Sequence, residues 1–305
     1  MRTYFNDLPK TALGASYWIF AVYLVLPLAL MMAMSFKDAN FIAFPIGNWT
    51  LSWYGKVIQD KQFLEASLYS IGIALATTIS ATIIGVWIAL LVSAENIWGK
   101  AIIFALACLP AVVPGLINAI SMRIFIRAVD IPTGTFAIIL AHTVHAVPFV
   151  VIMVLTRLRS MPANLVDAAR DLGASKLQTF IRIIVPLTMP GIIAGCLLVV
   201  LPAMGLFFVA DLMGGAKNLL IGNVIKSQFL NIRDWPFGAA TSICLTLVMG
   251  LLTPPVGAGL FIASSMTGAP PLKIFRALLP FLLATLATLV LLAWQPWLTN
   301  GLIQR

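Results

Sequence analysis

The sequence predicts an all-α protein, a polytopic helical bundle that spans a membrane. Of its 305 residues, 61% are hydrophobic and 10% are charged, whereas a soluble domain carries about 25% charged residues. The apolar residues form long segments, and roughly 20 such residues cross a bilayer as a helix. Lipid offers the backbone no hydrogen-bond partners, so these segments become helices. We therefore expect a six-helix core with a seventh helix at the carboxyl end.

Seven apolar segments carry this prediction. In chain order they cover about residues 14–35, 67–93, 101–124, 134–156, 187–209, 239–263 and 276–297. No small-residue cleavage site is evident near the first segment, so we interpret it as a retained membrane helix. The third contains Pro110 and Pro114, and the fourth contains Pro148. Proline is common in membrane helices, where neighbouring groups bind the freed backbone atoms.

The basic residues indicate which helix ends face the cytoplasm. Residues 157–182 contain five bases, and cytoplasmic loops are rich in Lys and Arg. We therefore place the amino terminus and this loop inside. The carboxyl terminus then lies outside, because the number of spans is odd. Two longer loops, 36–66 and 210–238, also lie outside, and the first carries aromatic residues suited to the membrane interface.

The charged block, defined here as residues 164–186, has the pattern of two short helices joined by a glycine turn. Asn164 followed by Asp167 resembles a capping box, and Gly173 is placed to end the first helix. Ser175 followed by Gln178 is a second capping-box pattern. Apolar residues then recur at the spacing of an amphipathic helix, namely Leu177, Phe180, Ile181 and Ile184. The block is either a knob that docks in a groove of another protein or an ordinary solvated loop.

The residues of the charged block resemble a known signature. The run Asp167-Ala168-Ala169, with Gly173, Ile183 and Val185-Pro186 following, is similar to the EAA signature. That signature belongs to the permease subunits of binding-protein-dependent ABC importers. The family form begins with Glu and ends with Leu-Pro, so this chain carries two conservative replacements. In that family the loop docks in a cleft of a cytoplasmic ATP-binding subunit. The resemblance implies this coupling role for Asp167, Ala168, Ala169, Arg170, Gly173, Ile183 and Pro186.

The resemblance extends over residues 15–252. Residues 167–252 are similar to the spermidine/putrescine permeases, whereas "WTLSWY" and "HTVHAVPFVVIMVLTRL" are more similar to the companion subunit of that pair. This implies a permease domain over residues 1–252, located in the bacterial inner membrane and surrounded by membrane lipid. It also implies three kinds of protein partner: the ATP-binding subunit, a sister permease and a periplasmic polyamine-binding protein.

The carboxyl-terminal part resembles a different family. Residues 251–292 are similar to the large membrane subunit of tripartite ATP-independent periplasmic (TRAP) transporters, which implies an extra membrane segment over residues 253–305. The run Thr253-Pro254-Pro255 then either breaks a helix or exposes carbonyl groups to an ion. Such a combination is typical of a recombined or computer-generated sequence. Two alternative functions follow, an ion-coupled secondary transporter subunit of the TRAP type and a folded membrane bundle without transport activity.

Four outer residues are candidates for a substrate path. Asp130, Asp211 and Asp234 lie at outer helix ends or in an outer loop, and Trp235 follows the last of them. Carboxylates and aromatic rings attract a polycation. The alternatives for these residues are hydrogen bonding within loops and docking of a soluble binding protein.

Other chemistry has little support in the sequence. His142 and His145 share a helix face, where they either pack or form a metal site or proton relay. The chain lacks a GxxxxGK(S/T) phosphate loop, so ATP hydrolysis must come from a partner. No soluble region is large enough for a basic nucleic-acid surface, although the net charge is +9. We therefore expect a protein that is not an enzyme, with no catalytic residue, cofactor, metal or nucleic-acid partner.

Overall fold

The structure is a computed structural model that describes residues 10–38, 48–94, 97–162, 164–215, 218–252, 270, 273, 274 and 276. These residues are mainly helical, which confirms the predicted fold class. The α-helices of the described part are α1 Lys10–Ser35, α2 Ser52–Gln59, α3 Lys61–Ser93, α4 Lys100–Val112, α5 Gly115–Ala128, α6 Thr135–Arg159, α7 Asn164–Asp171, α8 Lys176–Thr179, α9 Val185–Gly205, α10 Phe207–Met213, α11 Ile221–Ser227 and α12 Trp235–Leu252. Two further segments, Phe180–Ile184 and Gln228–Ile232, are π-helical. The predicted seventh helix, 276–297, and the run from Thr253 to Pro255 lie outside the described residues, except for Arg276.

Three helices of the described part are long and apolar enough to cross a membrane. They are α3, α6 and the continuous helical run Lys176–Gly205, and the bent pair α4 and α5 would be a fourth span. Shorter apolar helical stretches cover Val25–Ser35 and Trp235–Gly250. The apolar segments predicted from the sequence therefore coincide with helices wherever the structure describes them.

The third predicted segment is not one straight helix. Its two halves, α4 and α5, meet at an angle of 112°. Pro114 lacks an N–H group and disfavours helical geometry at the residue before it, and Val113 is accordingly extended, with φ −80° and ψ 134°. The Asn118 amide donates to the carbonyl groups of Pro110, at 2.6 Å, and Val113, at 3.1 Å. The predicted segment is therefore helical on both sides of a bend next to Pro114, and the pair counts as one span only if the bent helices cross the membrane together.

The chain divides into two compact units, each described here by itself. The first combines Met1–Gln59, Ser227–Leu245 and Arg276–Arg305, and the second combines Asp60–Lys226 and Thr246–Phe275. In the first unit an antiparallel bridge joins Lys37 to Trp49. Trp53 is buried and donates from Nε1 to the Lys37 carbonyl at 2.7 Å. This aromatic side chain of α2 is therefore packed against the bridged segment.

The core of the second unit is built from α3, α6 and α9, which approach closely at glycine residues. A Cβ atom on Gly85 of α3 would lie 2.7 Å from Val150 Cβ, and one on Gly195 of α9 would lie 3.1 Å from Val150 Cα. At Gly191, the added atom would lie 2.8 Å from the Met153 carbonyl oxygen. Small residues at helix contacts are typical of membrane proteins, because they allow backbones to approach.

Candidate functional site

The charged block begins with a helix that ends in a glycine turn, as predicted. Gly173 has φ +82°, in the left-handed region that favours glycine. Its N–H donates to the Arg170 carbonyl at 2.8 Å, and the Ala174 N–H donates to the Ala169 carbonyl at 2.9 Å. These two bonds form a Schellman motif, which satisfies carbonyl groups at the end of α7. The turn therefore fixes the direction in which α7 and α8 diverge.

The second helix of the block also begins as predicted. Ser175 and Gln178 form a reciprocal capping box, with bonds of 2.9 Å from Ser175 N and 3.3 Å from Gln178 N. The helix then widens into the π-helical segment Phe180–Ile184, which the prediction of a regular amphipathic helix missed. The Phe180 ring stacks on Trp87 of α3, with centroids 6.5 Å apart. This contact packs the π-helical part of the block against α3.

Most of the predicted coupling residues face solvent. Asp167, Ala168, Arg170, Gly173 and Pro186 are exposed, Ile183 is half-buried and Ala169 is buried. Arg170 and Asp167 form an exposed ion pair of 3.5 Å, and such pairs stabilise a helix by only about 0.3–0.5 kcal/mol.

Two exposed apolar side chains extend this surface. Leu172 is 89% exposed and Leu177 is 66% exposed. Leu172 was missing from the predicted set, although its position directly before the turn glycine signals exposure. These two leucines add apolar area to the exposed face of the charged block.

Three of the predicted path residues have local structural roles. Asp234 caps α12 by accepting from the Phe237 N–H at 3.2 Å, and Trp235 packs edge-on against Phe229 at 5.3 Å. Asp130 has φ +54° in the turn after α5, where its N–H donates to the Arg127 carbonyl at 3.3 Å. Asp234 and Trp235 belong to the first unit, whereas Asp130 belongs to the second. Their role in a substrate path stays a prediction.

Asp211, the fourth predicted residue, is the centre of a polar cluster. Its Oδ1 atom accepts from Asn223 Nδ2 and its Oδ2 atom accepts from Lys226 Nζ, both at 2.5 Å. Lys226 Nζ also lies 5.3 Å from the centroid of the Phe207 ring, within the range of a cation–π interaction. The Lys226 and Asp211 side chains are 33% and 35% exposed. Sequence reasoning missed Asn223 and Lys226, because no local pattern links residues that lie 12 and 15 positions from Asp211.

A cavity of about 230 Å³ lies beside α10 in the second unit. Its wall comes from α5, α6 and α10 and includes Asn118, Ser121, Phe125, His145, Phe208 and Val209. His145 Nδ1 is buried and has no hydrogen-bond partner among the described residues. His142 Nδ1 is 2.9 Å from the Ile138 carbonyl oxygen, whereas His142 Nε2 is also buried without a partner among the described residues. Each of the two histidines therefore has one buried ring nitrogen that the described residues do not pair.

Several helices that are long and apolar enough to cross a membrane define the class of a polytopic membrane protein. Residues 81–255 match the family described as "Binding-protein-dependent transport system inner membrane component". The chain belongs to this family of inner-membrane transport components, and it is a multi-pass permease subunit.

Several curated relatives are similar to most of the chain. The spermidine/putrescine transport system permease protein PotB of Escherichia coli (strain K12) is 43% identical over 77% of this chain and 91% of its own length. PotB of Haemophilus influenzae is 38% identical over 83% of this chain and 94% of its own length. The spermidine/putrescine transport system permease protein PotC of Escherichia coli (strain K12) is 29% identical over 58% of this chain and 66% of its own length.

Solved structures show the same fold at low sequence identity. A chain of a bacterial ABC transporter that imports the acidic polysaccharide alginate has a TM-score of 0.64 at 18% identity, covering 80% of this chain and 94% of that one. A chain of the MetNI methionine ABC transporter has a TM-score of 0.51 at 20% identity. The match covers 70% of this chain and 95% of that one. These likenesses support the importer permease fold predicted from the sequence.

Proposed function

We propose that the chain imports spermidine and putrescine as the permease subunit of an ATP-driven transporter. The observation that carries the proposal is the 43% identity to a spermidine/putrescine permease over 77% of the chain. Its partners are a sister permease, two ATP-binding subunits and a periplasmic polyamine-binding protein. The permease domain covers residues 1–252, and residues 253–305 are an additional membrane segment.

The charged block is the coupling element in this proposal. Its exposed residues Asp167, Ala168, Arg170 and Gly173 contact the ATP-binding subunit, and exposed Leu172 adds apolar contact area. Ala169 is buried and holds α7 in place, while Ile183 and Pro186 connect the block to α9. ATP-dependent closure of the partner pushes on the block, and the movement passes through the π-helical segment into the membrane helices. The result is alternating access of a central path to the two sides of the membrane.

Uptake by proteoliposomes tests this function. The chain is reconstituted with its sister permease and the ATP-binding subunits. Binding protein loaded with radiolabelled spermidine is then added. We expect radiolabelled spermidine to accumulate only when ATP and binding protein are present. Unlabelled putrescine should compete with this uptake. Accumulation driven by a sodium gradient without ATP would instead support a TRAP-type transporter. No polyamine uptake under either condition would refute the proposal.

A further inference from the structure

Two unlike partners hold the Asp211 carboxylate. Asn223, which binds Oδ1, is buried, and it also accepts from the Leu220 N–H and donates to the Phe207 carbonyl. Lys226, which binds Oδ2, carries its ammonium on a flexible chain that is one-third exposed. One carboxylate oxygen is therefore fixed by the scaffold, while the other holds a cation that can move away.

The surroundings of the Lys226 ammonium would suit any primary ammonium ion. They consist of a carboxylate oxygen at 2.5 Å and an aromatic ring whose centroid is 5.3 Å away. A carboxylate supplies a charge-assisted hydrogen bond, and the ring face attracts the same cation. Because the ion pair is partly exposed, it stabilises the chain little and can exchange its cation.

The cavity beside α10 agrees with passage of an alkylammonium ion. Phe208 and Val209 of α10 line it, next in sequence to Phe207 of the cluster. The rest of its wall is mostly apolar, with Met122, Val144 and the Phe125 ring among the lining residues. Polar groups come from Asn118, Ser121 and His145. Neutral acceptors and aromatic faces let a chain of amines and methylene groups pass without holding it tightly.

We propose that Asp211 and Phe207 form an ammonium subsite for the transported polyamine, and that Lys226 occupies this subsite when substrate is absent. An incoming ammonium group displaces the Lys226 side chain from Oδ2. One cation replaces another, so the carboxylate is paired before and after the exchange. This inference rests on the proposed function, since the cargo must be an alkylammonium ion.

Direct binding of radiolabelled spermidine tests the subsite. Equilibrium dialysis is run on the purified transporter without binding protein, for the wild type, Lys226→Met, Asp211→Asn and the double variant. We expect Lys226→Met to lower Kd about two- to fivefold, because the competing internal cation is gone. Asp211→Asn should raise Kd about fivefold or more. The double variant should bind as weakly as Asp211→Asn alone, because Lys226 competes only for the carboxylate.

Two further variants separate this exchange from general electrostatics and from misfolding. Lys56→Met removes the same charge from another lysine that lies over an aromatic ring, 4.1 Å from the Trp53 centroid, and should leave Kd unchanged. Lys226→Arg keeps the ion pair and should raise Kd, because a guanidinium binds a carboxylate through two hydrogen bonds.

An unchanged or raised Kd in Lys226→Met would overturn the subsite, as would an equal fall in Lys226→Met and Lys56→Met. If the wild type takes up spermidine but the variants show none of these shifts in Kd, the subsite alone is refuted. A wild type that takes up no polyamine would refute the proposed function.

Discussion

At the break between α4 and α5, the Asn118 side chain replaces backbone hydrogen bonds that the helix loses. Its Nδ2 atom donates to the carbonyl groups of Pro110 and Val113. We expect Asn118→Ala to lower the free energy of unfolding by about 1–3 kcal/mol, because a half-buried carbonyl group without a partner is costly. Chemical unfolding of the purified chain in detergent measures this loss.

Asn231→Ala is the matched control for that substitution. The Asn231 amide makes one long exposed hydrogen bond, 3.4 Å to Ser227 Oγ. Its removal should change stability by less than about 0.5 kcal/mol. Equal losses in the two variants would show that the bonds at the break do not stabilise the bend.

The residue scale also shows which side-chain roles the sequence could predict. The turn at Gly173 and the capping box of Ser175 with Gln178 were confirmed, because each depends on groups within a few residues of each other. The partners of Asp211 lie 12 and 15 residues away in the chain. Tertiary packing brings them together, and no spacing rule for a single helix could have found them.

At the scale of elements, glycine contacts hold α6 against α9. A Cβ atom on Gly191 would lie 2.7 Å from Arg157 Cγ and 2.8 Å from the Met153 carbonyl oxygen. A backbone atom cannot rotate away, so Gly191→Ala must separate the two helices. We expect it to lower the free energy of unfolding by about 1–3 kcal/mol, measured in the same detergent assay.

Gly72→Ala in α3 is the control for this contact. No atom lies within 4 Å of a Cβ at Gly72, so alanine should be neutral or stabilise the helix by about 0.5–1 kcal/mol. Similar destabilisation by the two variants would contradict the close-packing explanation, because an alanine at residue 72 meets no neighbouring atom.

The positions of the helices could be predicted more reliably than their bends and irregularities. Hydrophobic segments longer than 18 residues indicated where the helices lie, because lipid forces apolar backbone into helices. The 112° bend of α4 against α5 and the π-helical segment Phe180–Ile184 were missed. Both depend on contacts outside the helix, such as Asn118 with Pro110 and Phe180 with Trp87.

At the scale of the whole molecule, the charged block connects two long helices that are in close contact at glycine residues, α6 and α9. It follows α6 and continues through the π-helical segment into α9. Because α6 and α9 are in close contact at Gly191 and Gly195, we expect a push on the block to move both helices together. In the proposed function, this arrangement lets a short loop transmit the closure of an ATP-binding subunit to the membrane helices.

The most direct test of this account is co-purification of the ATP-binding subunit with the tagged chain, comparing wild type with Gly173→Asp and Gly99→Asp. Both glycines have positive φ, +82° and +77°, and open space around an added Cβ, so the backbone strain is matched. Only Gly173 lies in the charged block. The account predicts that Gly173→Asp lowers recovery of the ATP-binding subunit about tenfold or more, which corresponds to about 1.4 kcal/mol, while Gly99→Asp retains it. Equal recovery with all three chains, or no recovery with folded wild type, would contradict it.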